Sequence, residues 1–124
     1  MVDDQAVVRE GLRVILDAAE DLTVVAEAAD GVEAVAVGRR WAPDVVLMDV
    51  RMPRMDGITA TAELLRSPGH RSRVVMLTTF GEEEYLYGAL RAGATGFLLK
   101  DAGPAQIVAA VRAAVAGDQL IAPH

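Results

Sequence analysis

The feature that most constrains the fold is an apolar run that ends in a carboxylate. The run Val45-Val46-Leu47-Met48 leads into Asp49, and the segment lies between Pro43 and a loop that contains Pro53 and Gly57. Four consecutive apolar residues, two of them β-branched, predict a short strand that is buried on both faces of a parallel sheet. Ligands bind beyond the carboxyl ends of such strands, so Asp49 is a candidate functional residue. An isolated Asp after a strand could equally well cap the following turn.

Length and composition limit the classes of protein that fit. A chain of 124 residues is long enough for one domain with its own core, and it contains no Cys for disulfide bonds. The first residues lack the basic start and apolar segment of a signal peptide, and no apolar run could cross a bilayer. We therefore expect a cytoplasmic protein without a membrane partner. A net charge of -6 argues against nucleic-acid binding by this segment, since that requires a basic face.

Helical and strand patterns alternate along the chain. Apolar residues at helical spacing predict helices at about 8–19, 31–41, 58–66, 82–91 and 104–117. Short apolar runs predict strands at 22–28, 45–49, 74–78 and 97–99. Gly93 and Gly117 suit helix C-caps, and Pro104 suits a first helical turn. This alternation predicts an α/β fold with a parallel sheet and helices on both faces.

Polar side chains follow the ends of four strands, and they are Asp3-Asp4, Asp49, Thr78 and Lys100. Right-handed parallel connections bring these ends to one edge of the sheet. Three acids there need a counter-charge, and Mg²⁺ prefers oxygen ligands. Because a carboxylate can also attack phosphorus, the cluster predicts a phosphoryl acceptor with its own metal.

Each of these residues also has a simpler interpretation when it is taken alone. Lys100 could be a surface residue, although it is the single Lys in a chain with eleven Arg. Thr78 could be a β-branched residue at a strand end, and Asp3-Asp4 could cap a helix. Their joint placement at successive strand ends favours a functional site.

This pattern resembles the receiver domain of two-component response regulators, which has an acid pair, an acceptor Asp, a Ser or Thr and a Lys at successive strand ends. The loop Met52-Pro53-Arg54-Met55-Asp56-Gly57 matches the MPxMDG motif of the family, and the match covers essentially all of the chain. The resemblance implies a flavodoxin-like (CheY-like) fold with a doubly wound, five-stranded parallel sheet in the order 2-1-3-4-5.

The resemblance also implies a role for each site residue. Asp49 would be the phosphoacceptor. Mg²⁺ would bind Asp3, Asp4, Asp49 and the backbone carbonyl of Arg51. Thr78 and Lys100 would hold the phosphoryl oxygens, and Thr78 and Phe97 would form the switch. Two details depart from the family: Asp101 follows Lys100 where many receivers have Pro, and Phe97 lacks a hydroxyl, so it could signal by burial alone.

Three segments are similar to the NarL/FixJ subfamily of transcriptional regulators: Asp4-Gln5-Ala6, Ala92-Gly93-Ala94-Thr95-Gly96 and Leu99-Lys100-Asp101-Ala102. That similarity implies a receiver domain at 1–117 and, at 118–124, the start of a linker to a helix-turn-helix domain outside this chain. The expected partners are a sensor histidine kinase, DNA through that further domain, and a second copy bound through the fourth helix, last strand and last helix. No classical enzymatic turnover is expected.

Two other functions remain open at this point. A phosphatase like the haloacid dehalogenases also uses a strand-end Asp and Mg²⁺, but it needs a second acid where this chain has Arg51. The chain could also be a receiver-like interaction module that works without phosphorylation.

The first strand is unusually short for the implied fold. Only Met1 and Val2 precede Asp3, whereas a strand has about five or six residues, so roughly three or four apolar residues are lacking. We expect either residues before Met1 in the parent protein or exchange of a segment with a neighbouring chain. Metal affinity should be weaker here than in a version that carries the full strand.

Overall fold

The computed structural model describes residues 1–79 and 83–117. A parallel sheet at its centre consists of β1 (Val45–Asp49), β2 (Arg73–Thr78) and β3 (Gly96–Leu99), in that order. The helices of the described residues are α1 (Ala6–Asp17), α2 (Gly31–Trp41), α3 (Gly57–Arg66), α4 (Leu86–Ala92) and α5 (Pro104–Ala116). A 3-10 turn at Glu83–Tyr85 precedes α4. Each of these described helices is too short or too polar to cross a bilayer.

Val2 extends the sheet beyond β1 by a single residue. It pairs in parallel with Met48 on one side and with Ala28 on the other. The N–H of Val2 donates to the carbonyl of Leu47 at 2.8 Å, and the N–H of Asp49 donates to the carbonyl of Val2 at 2.9 Å. The resulting order, Ala28, Val2, β1, β2, β3, agrees with the predicted order 2-1-3-4-5.

The prediction of a strand at 22–28 is wrong except at its end, whereas the first strand is short, as expected. Of the predicted strand at 22–28, only Ala28 makes a strand-like pair. A strand is stable when a neighbouring strand satisfies its backbone groups, and here only Met1 and Val2 lie where that neighbour should be. The short first strand thus pairs with this segment as a strand at Ala28 alone, and the ammonium of Met1 adds one hydrogen bond to the carbonyl of Ala26.

The two faces of the sheet carry separate apolar clusters, as predicted. On one face, Met48, Val74 and Met76 pack with residues from α2, α3 and α4. On the other, Leu47, Val75 and Leu77 pack with residues from α1 and α5. Side chains alternate between the faces of a strand, so an unbroken apolar run contributes to both clusters.

Helix boundaries largely follow the predicted signals. Gly93 and Gly117 cap α4 and α5 with φ of 109° and 91°, a left-handed conformation that Gly adopts easily. Pro104 begins α5. The fourth helix starts later than predicted, because Glu83 and Glu84 lie in a 3-10 turn, a common lead-in to a helix. The predicted start at Glu82 and the predicted linker at 118–124 lie outside the described residues.

A groove of about 820 Å³ separates residues 22–28 from β1. Aliphatic side chains line both walls, and these include Val24, Val25, Val45 and Val46. The α-ammonium of Met1 also lines the groove and donates to the carbonyl of Ala26 at 3.2 Å. Burial lowers the pKa of this ammonium to about 6, against the opposing attraction of Glu27. The groove occupies the place where residues of a longer first strand would lie.

Candidate functional site

Asp49 ends β1 and is buried, with 3% of its surface exposed. The loop that follows folds back tightly on this strand end. The N–H of Gly57 donates to the carbonyl of Val50 at 2.7 Å, and a Cβ at Gly57 would lie 1.8 Å from the carbonyl oxygen of Asp49. Only Gly allows this approach. The Gly of the MPxMDG-like loop therefore lets α3 begin directly beside the acid.

Asp3 and Asp4 follow the short first strand and complete an acidic cluster with Asp49. Asp3 is fully buried, whereas Asp4 is exposed. One carboxylate oxygen from each of the three residues lies within 4.8 Å of the others. The pairing of Val2 with Met48 places Asp3 next to Asp49, and the N–H of Gln5 donates to Oδ1 of Asp3 at 2.9 Å. The predicted acid cluster is thus present in the structure.

Lys100 lies one residue beyond β3 and reaches across the strand ends to two acids. Its Nζ lies 2.9 Å from Oδ2 of Asp49 and 3.0 Å from Oδ2 of Asp3. Its backbone N–H donates to the carbonyl of Thr78 at 2.9 Å, which ties it to β2. A single ammonium therefore joins residues from the first, third and fifth strand positions of the fold.

The electrostatics of this cluster set the charge of Asp49. Burial, helped by the carboxylates of Asp3 and Asp4, raises the pKa of Asp49 to about 6 against the lowering effect of Lys100. Burial alone would lower the pKa of Lys100, but hydrogen bonding and attraction from Asp49 and Asp3 outweigh it, so this pKa is raised. Near pH 7 the carboxyl of Asp49 is therefore mostly ionised and lies beside the charged ammonium of Lys100.

The donor set suits a hard divalent cation. Three carboxylates meet around one ammonium, which leaves excess negative charge. Oδ2 of Asp3 is buried and, among the described residues, finds no hydrogen bond of suitable geometry even though the Lys100 ammonium is close. An oxygen in that condition gains from a cation, and Mg²⁺ commonly uses one or two carboxylates and keeps several waters. Asp3, Asp4 and Asp49 fit this role.

The remaining predicted site residues, Thr78, Phe97 and Arg51, differ in burial and contacts. Thr78 ends β2 and is buried, and its hydroxyl donates to the carbonyl of Thr79 at 3.1 Å. Phe97 lies in β3 and packs, partly buried, against the core on the side of α2 to α4. Arg51 lies in the loop two residues after Asp49, with an exposed side chain. The role of its carbonyl as a metal ligand stays a prediction.

Two supporting contacts escaped the sequence reasoning. Arg9 of α1 donates to the backbone carbonyl of Asp3 at 2.6 Å and pairs with Glu27 at 3.3 Å, so it links the end of the short first strand to the segment 22–28. Arg54, in the loop after β1, pairs with Asp30 at the start of α2. Periodicity carries no signal for either contact, because each joins residues that are distant in the sequence.

Comparison with known proteins gives a family for this constellation. A family model described as the response regulator receiver domain matches residues 1–112. The chain is a response-regulator receiver domain. The resemblance inferred from the strand-end residues is thereby confirmed, as is the CheY-like fold class.

Relatives of this receiver domain include transcriptional regulators. It is 45% identical to the transcriptional regulatory protein YxjL of Bacillus subtilis, which is described as uncharacterized, over 97% of this chain and 55% of that protein. It is 42% identical to the oxygen regulatory protein NreC of Staphylococcus carnosus, over 99% of this chain and 57% of that protein. The receiver domain thus spans little more than half the length of these curated relatives.

A solved structure supports the same subfamily. The signal receiver domain of the putative response regulator NarL from Mycobacterium tuberculosis superposes with a TM-score of 0.87 at 40% sequence identity. The match covers 94% of this chain and 93% of that one. This receiver domain is therefore of the NarL type.

Proposed function

We propose that Asp49 accepts a phosphoryl group from a sensor histidine kinase, and that the phosphorylated domain then controls a DNA-binding effector domain outside these 124 residues. The observation that carries the proposal is the contact of one ammonium with two buried acids from different strands. Nζ of Lys100 lies within 3.0 Å of oxygens of both Asp3 and Asp49. Structural ion pairs seldom gather three acids and one Lys at the end of a sheet, where ligands usually bind.

The chemistry follows from the charge of Asp49. With a pKa of about 6, its carboxylate is mostly ionised at pH 7 and can act as a nucleophile. One carboxylate oxygen forms a bond to phosphorus while the bond from phosphorus to the imidazole nitrogen of the donor breaks, and that imidazole keeps the electron pair. The Lys100 ammonium lies where it can offset the negative charge that the phosphoryl oxygens bring.

Asp3, Asp4 and Asp49 would hold Mg²⁺, with the carbonyl of Arg51 as a further ligand. The bound ion supplies charge neutralisation and orientation for the incoming phosphoryl group. The chain's own contribution is to keep Asp3 in place, through Arg9 on its carbonyl and Gln5 on its carboxylate.

A switch between two states would start at Thr78. Its hydroxyl now donates to the carbonyl of Thr79, so a phosphoryl group on Asp49 would compete for that proton. Movement of Thr78 toward the site would make room beside β3, and Phe97, which is only partly buried, would turn further inward. Burial of apolar surface would favour that inward position.

The output of the switch would be self-association through α4, β3 and α5. Tyr87 of α4 is 80% exposed, and Leu99 at the end of β3 is also exposed, so large apolar groups lie on this side of the domain. We expect Tyr87→Ser to weaken any phosphorylation-dependent dimer, whereas Val7→Ser on α1, where Val7 is exposed to the same extent, should leave it unchanged. Sedimentation of phosphorylated protein tests this. Equal mass for free and phosphorylated wild type would show that dimerisation is not an output.

The cellular setting is proposed on the same basis. The acidic net charge argues that DNA is bound by another domain, and a cytoplasmic location fits a kinase partner that phosphorylates an intracellular regulator. We expect one phosphoryl group per chain rather than catalytic turnover of a substrate.

Incubation with Mg²⁺ and a small acyl phosphate, followed by intact mass measurement, tests the proposed chemistry. The expected result is one phosphoryl adduct, which Asp49→Asn abolishes because a neutral amide is not a comparable nucleophile. Asp44→Asn is the matched control, because Asp44 is an exposed acid directly before the start of β1, at the opposite end of that strand from Asp49.

Each other outcome contradicts the proposal in a different way. An undiminished adduct in Asp49→Asn would overturn the assignment of the acceptor. Consumption of the acyl phosphate without an adduct would support a phosphatase. No reaction, with wild-type folding, would support an interaction module that works without phosphorylation.

A further inference from the structure

The loop between β1 and α3 is clamped to the start of α2 by a bidentate ion pair. Nε of Arg54 donates to Oδ2 of Asp30 at 3.0 Å, and Nη2 donates to Oδ1 at 3.1 Å. The planar guanidinium fork matches the two oxygens of a carboxylate, so this geometry is more specific than a single-point contact. The pair therefore fixes the direction of Arg54 as well as its distance from Asp30.

Asp30 is itself held rigidly. It is the N-cap of α2, and its Oδ1 also accepts from the N–H of Glu33 at 2.8 Å. Its side chain is only 13% exposed, whereas that of Arg54 is 60% exposed. Arg54 and Glu33 together lower the pKa of Asp30, with the backbone bond from Glu33 as the largest cause. Asp30 is thus an ionised, oriented anchor, and Arg54 is the partner that joins it.

The backbone conformation of Arg54 shows that the loop is under constraint. Arg54 has φ of 67°, a left-handed conformation that is unfavourable for a residue with a side chain. Such a conformation persists when surrounding contacts determine it. The bidentate pair with Asp30 is a contact of this kind, made by the strained residue itself.

Close backbone packing next to Arg54 reinforces the clamp. A Cβ on Gly31, the first residue of α2, would lie 2.0 Å from the carbonyl oxygen of Met55. Gly57, at the start of α3, lies equally close to the carbonyl of Asp49, so the two ends of the loop are in contact. The loop, which contains Arg51, is therefore closed at the end of β1 and packed against the start of α2.

We propose that Arg54 is a positioning residue, which holds the loop through Asp30 so that the carbonyl of Arg51 is presented to the acidic cluster. This inference rests on the metal and phosphoacceptor site proposed above. Arg54 does not touch the reacting groups. Its effect passes through the loop backbone, so its loss should weaken Mg²⁺ binding without removing any of the carboxylates.

Calorimetric titration of the unphosphorylated chain with MgCl₂ tests the clamp. We expect Arg54→Gln to raise the Mg²⁺ dissociation constant on the order of tenfold, as is usual when a residue supporting a metal ligand is removed. Asp30→Asn should act similarly, since Asn keeps a side-chain oxygen for the helix cap but loses the charge. Arg54→Lys, which keeps the charge but loses the fork, should fall between Arg54→Gln and wild type.

Arg66→Gln provides the matched control. Arg66 is exposed on α3 and pairs with Glu63 of the same helix, away from the loop. In the absence of Mg²⁺, amide hydrogen exchange adds a second measurement, because the N–H groups of Met55 and Gly57 are hydrogen-bonded within the loop. Both should exchange faster in Arg54→Gln than in Arg66→Gln.

The combination of variants separates failure of the clamp from failure of the site. If the pair acts as a unit, the double variant of Arg54→Gln and Asp30→Asn loses no more Mg²⁺ affinity than the stronger single variant. Wild-type Mg²⁺ affinity and wild-type exchange in both single variants, or fully additive losses in the double variant, would overturn the clamp. A wild-type chain that binds no Mg²⁺ and forms no adduct would instead refute the proposed function itself.

Discussion

A strand added before Met1 is expected to fill the groove beside β1 and stabilise the domain. The pairing of Val2 with Met48 and Ala28 sets the register. Three added residues would lie opposite 44–46 on one side and 24–26 on the other. At about 3.3 Å per residue they would extend the strand by roughly 10 Å into the groove of about 820 Å³. The variant we propose carries Gly-Ser followed by three aliphatic residues, so that the new ammonium lies in solvent.

The expected increase in the free energy of unfolding has two parts. Burial of three aliphatic side chains contributes about 5 to 9 kcal/mol and ordering their backbone costs about 3 to 6 kcal/mol, so the midpoints of the two ranges leave a net gain of roughly 2 to 3 kcal/mol. The second part is removal of the buried ammonium of Met1, whose pKa is lowered from 8.0 to about 6 in the folded chain. Two pKa units correspond to about 3 kcal/mol.

The second part depends on pH. Between pH 6 and 8 the unfolded chain binds more protons at this amine than the folded chain, so stability rises with pH across that window. The penalty is fully present below pH 6 and absent above pH 8. An extension therefore stabilises the domain more at pH 6 than at pH 8, where the contribution from apolar burial dominates.

Urea denaturation at pH 6 and pH 8 measures both parts. The control carries Gly-Ser followed by Ser-Gly-Ser, which removes the ammonium from Met1 but adds no apolar side chains. We expect both extensions to abolish the contribution of Met1 to the pH dependence, and only the aliphatic one to be more stable than the original chain at pH 8. Mg²⁺ affinity should also increase with the aliphatic extension, because Asp3 and Asp4 would then follow a complete strand.

Equal stability of the two extended chains at pH 8, together with unchanged Mg²⁺ affinity, would refute this reasoning. In that case the groove would not accept a strand, and the acid pair would be held adequately by Arg9 and the bridge at Val2.

Two further predictions concern the acidic cluster. Lys100→Arg should abolish the response of the domain to phosphorylation, because Nζ of Lys100 fits between oxygens of Asp3 and Asp49, at 3.0 and 2.9 Å, and a wider guanidinium does not. If phosphorylation changed the sedimentation mass or the amide hydrogen exchange of this variant as it does in the wild type, the prediction would be contradicted. As the pH is lowered to 5 from well above 6, the Mg²⁺ affinity should fall about tenfold, because the pKa of Asp49 is raised to about 6 and a proton then competes with the metal. A Mg²⁺ affinity that stays constant over this pH range in calorimetry would contradict the prediction.

Much of the fold could be predicted from the sequence, because local patterns carry it. The apolar runs of β1 and β2 are buried as predicted, and the helix caps at Gly93 and Gly117 have the conformation that Gly favours. The acid cluster with Lys100 was also predictable, since parallel strands with right-handed connections place their carboxyl ends at one edge. These features follow from spacing within a segment or from a general rule of topology.

Contacts between distant segments were decided only by the tertiary structure. The apolar run at 22–28 has the composition of a strand, yet it pairs only at Ala28, because a strand also needs a neighbour and the first strand provides a single bridging residue. The pairing of Arg54 with Asp30 depends on how α2 packs against the loop after β1, and neither residue has a distinctive sequence context. Hydrophobic spacing reports how a segment is buried, whereas backbone pairing and ion pairs depend on which other segment lies beside it.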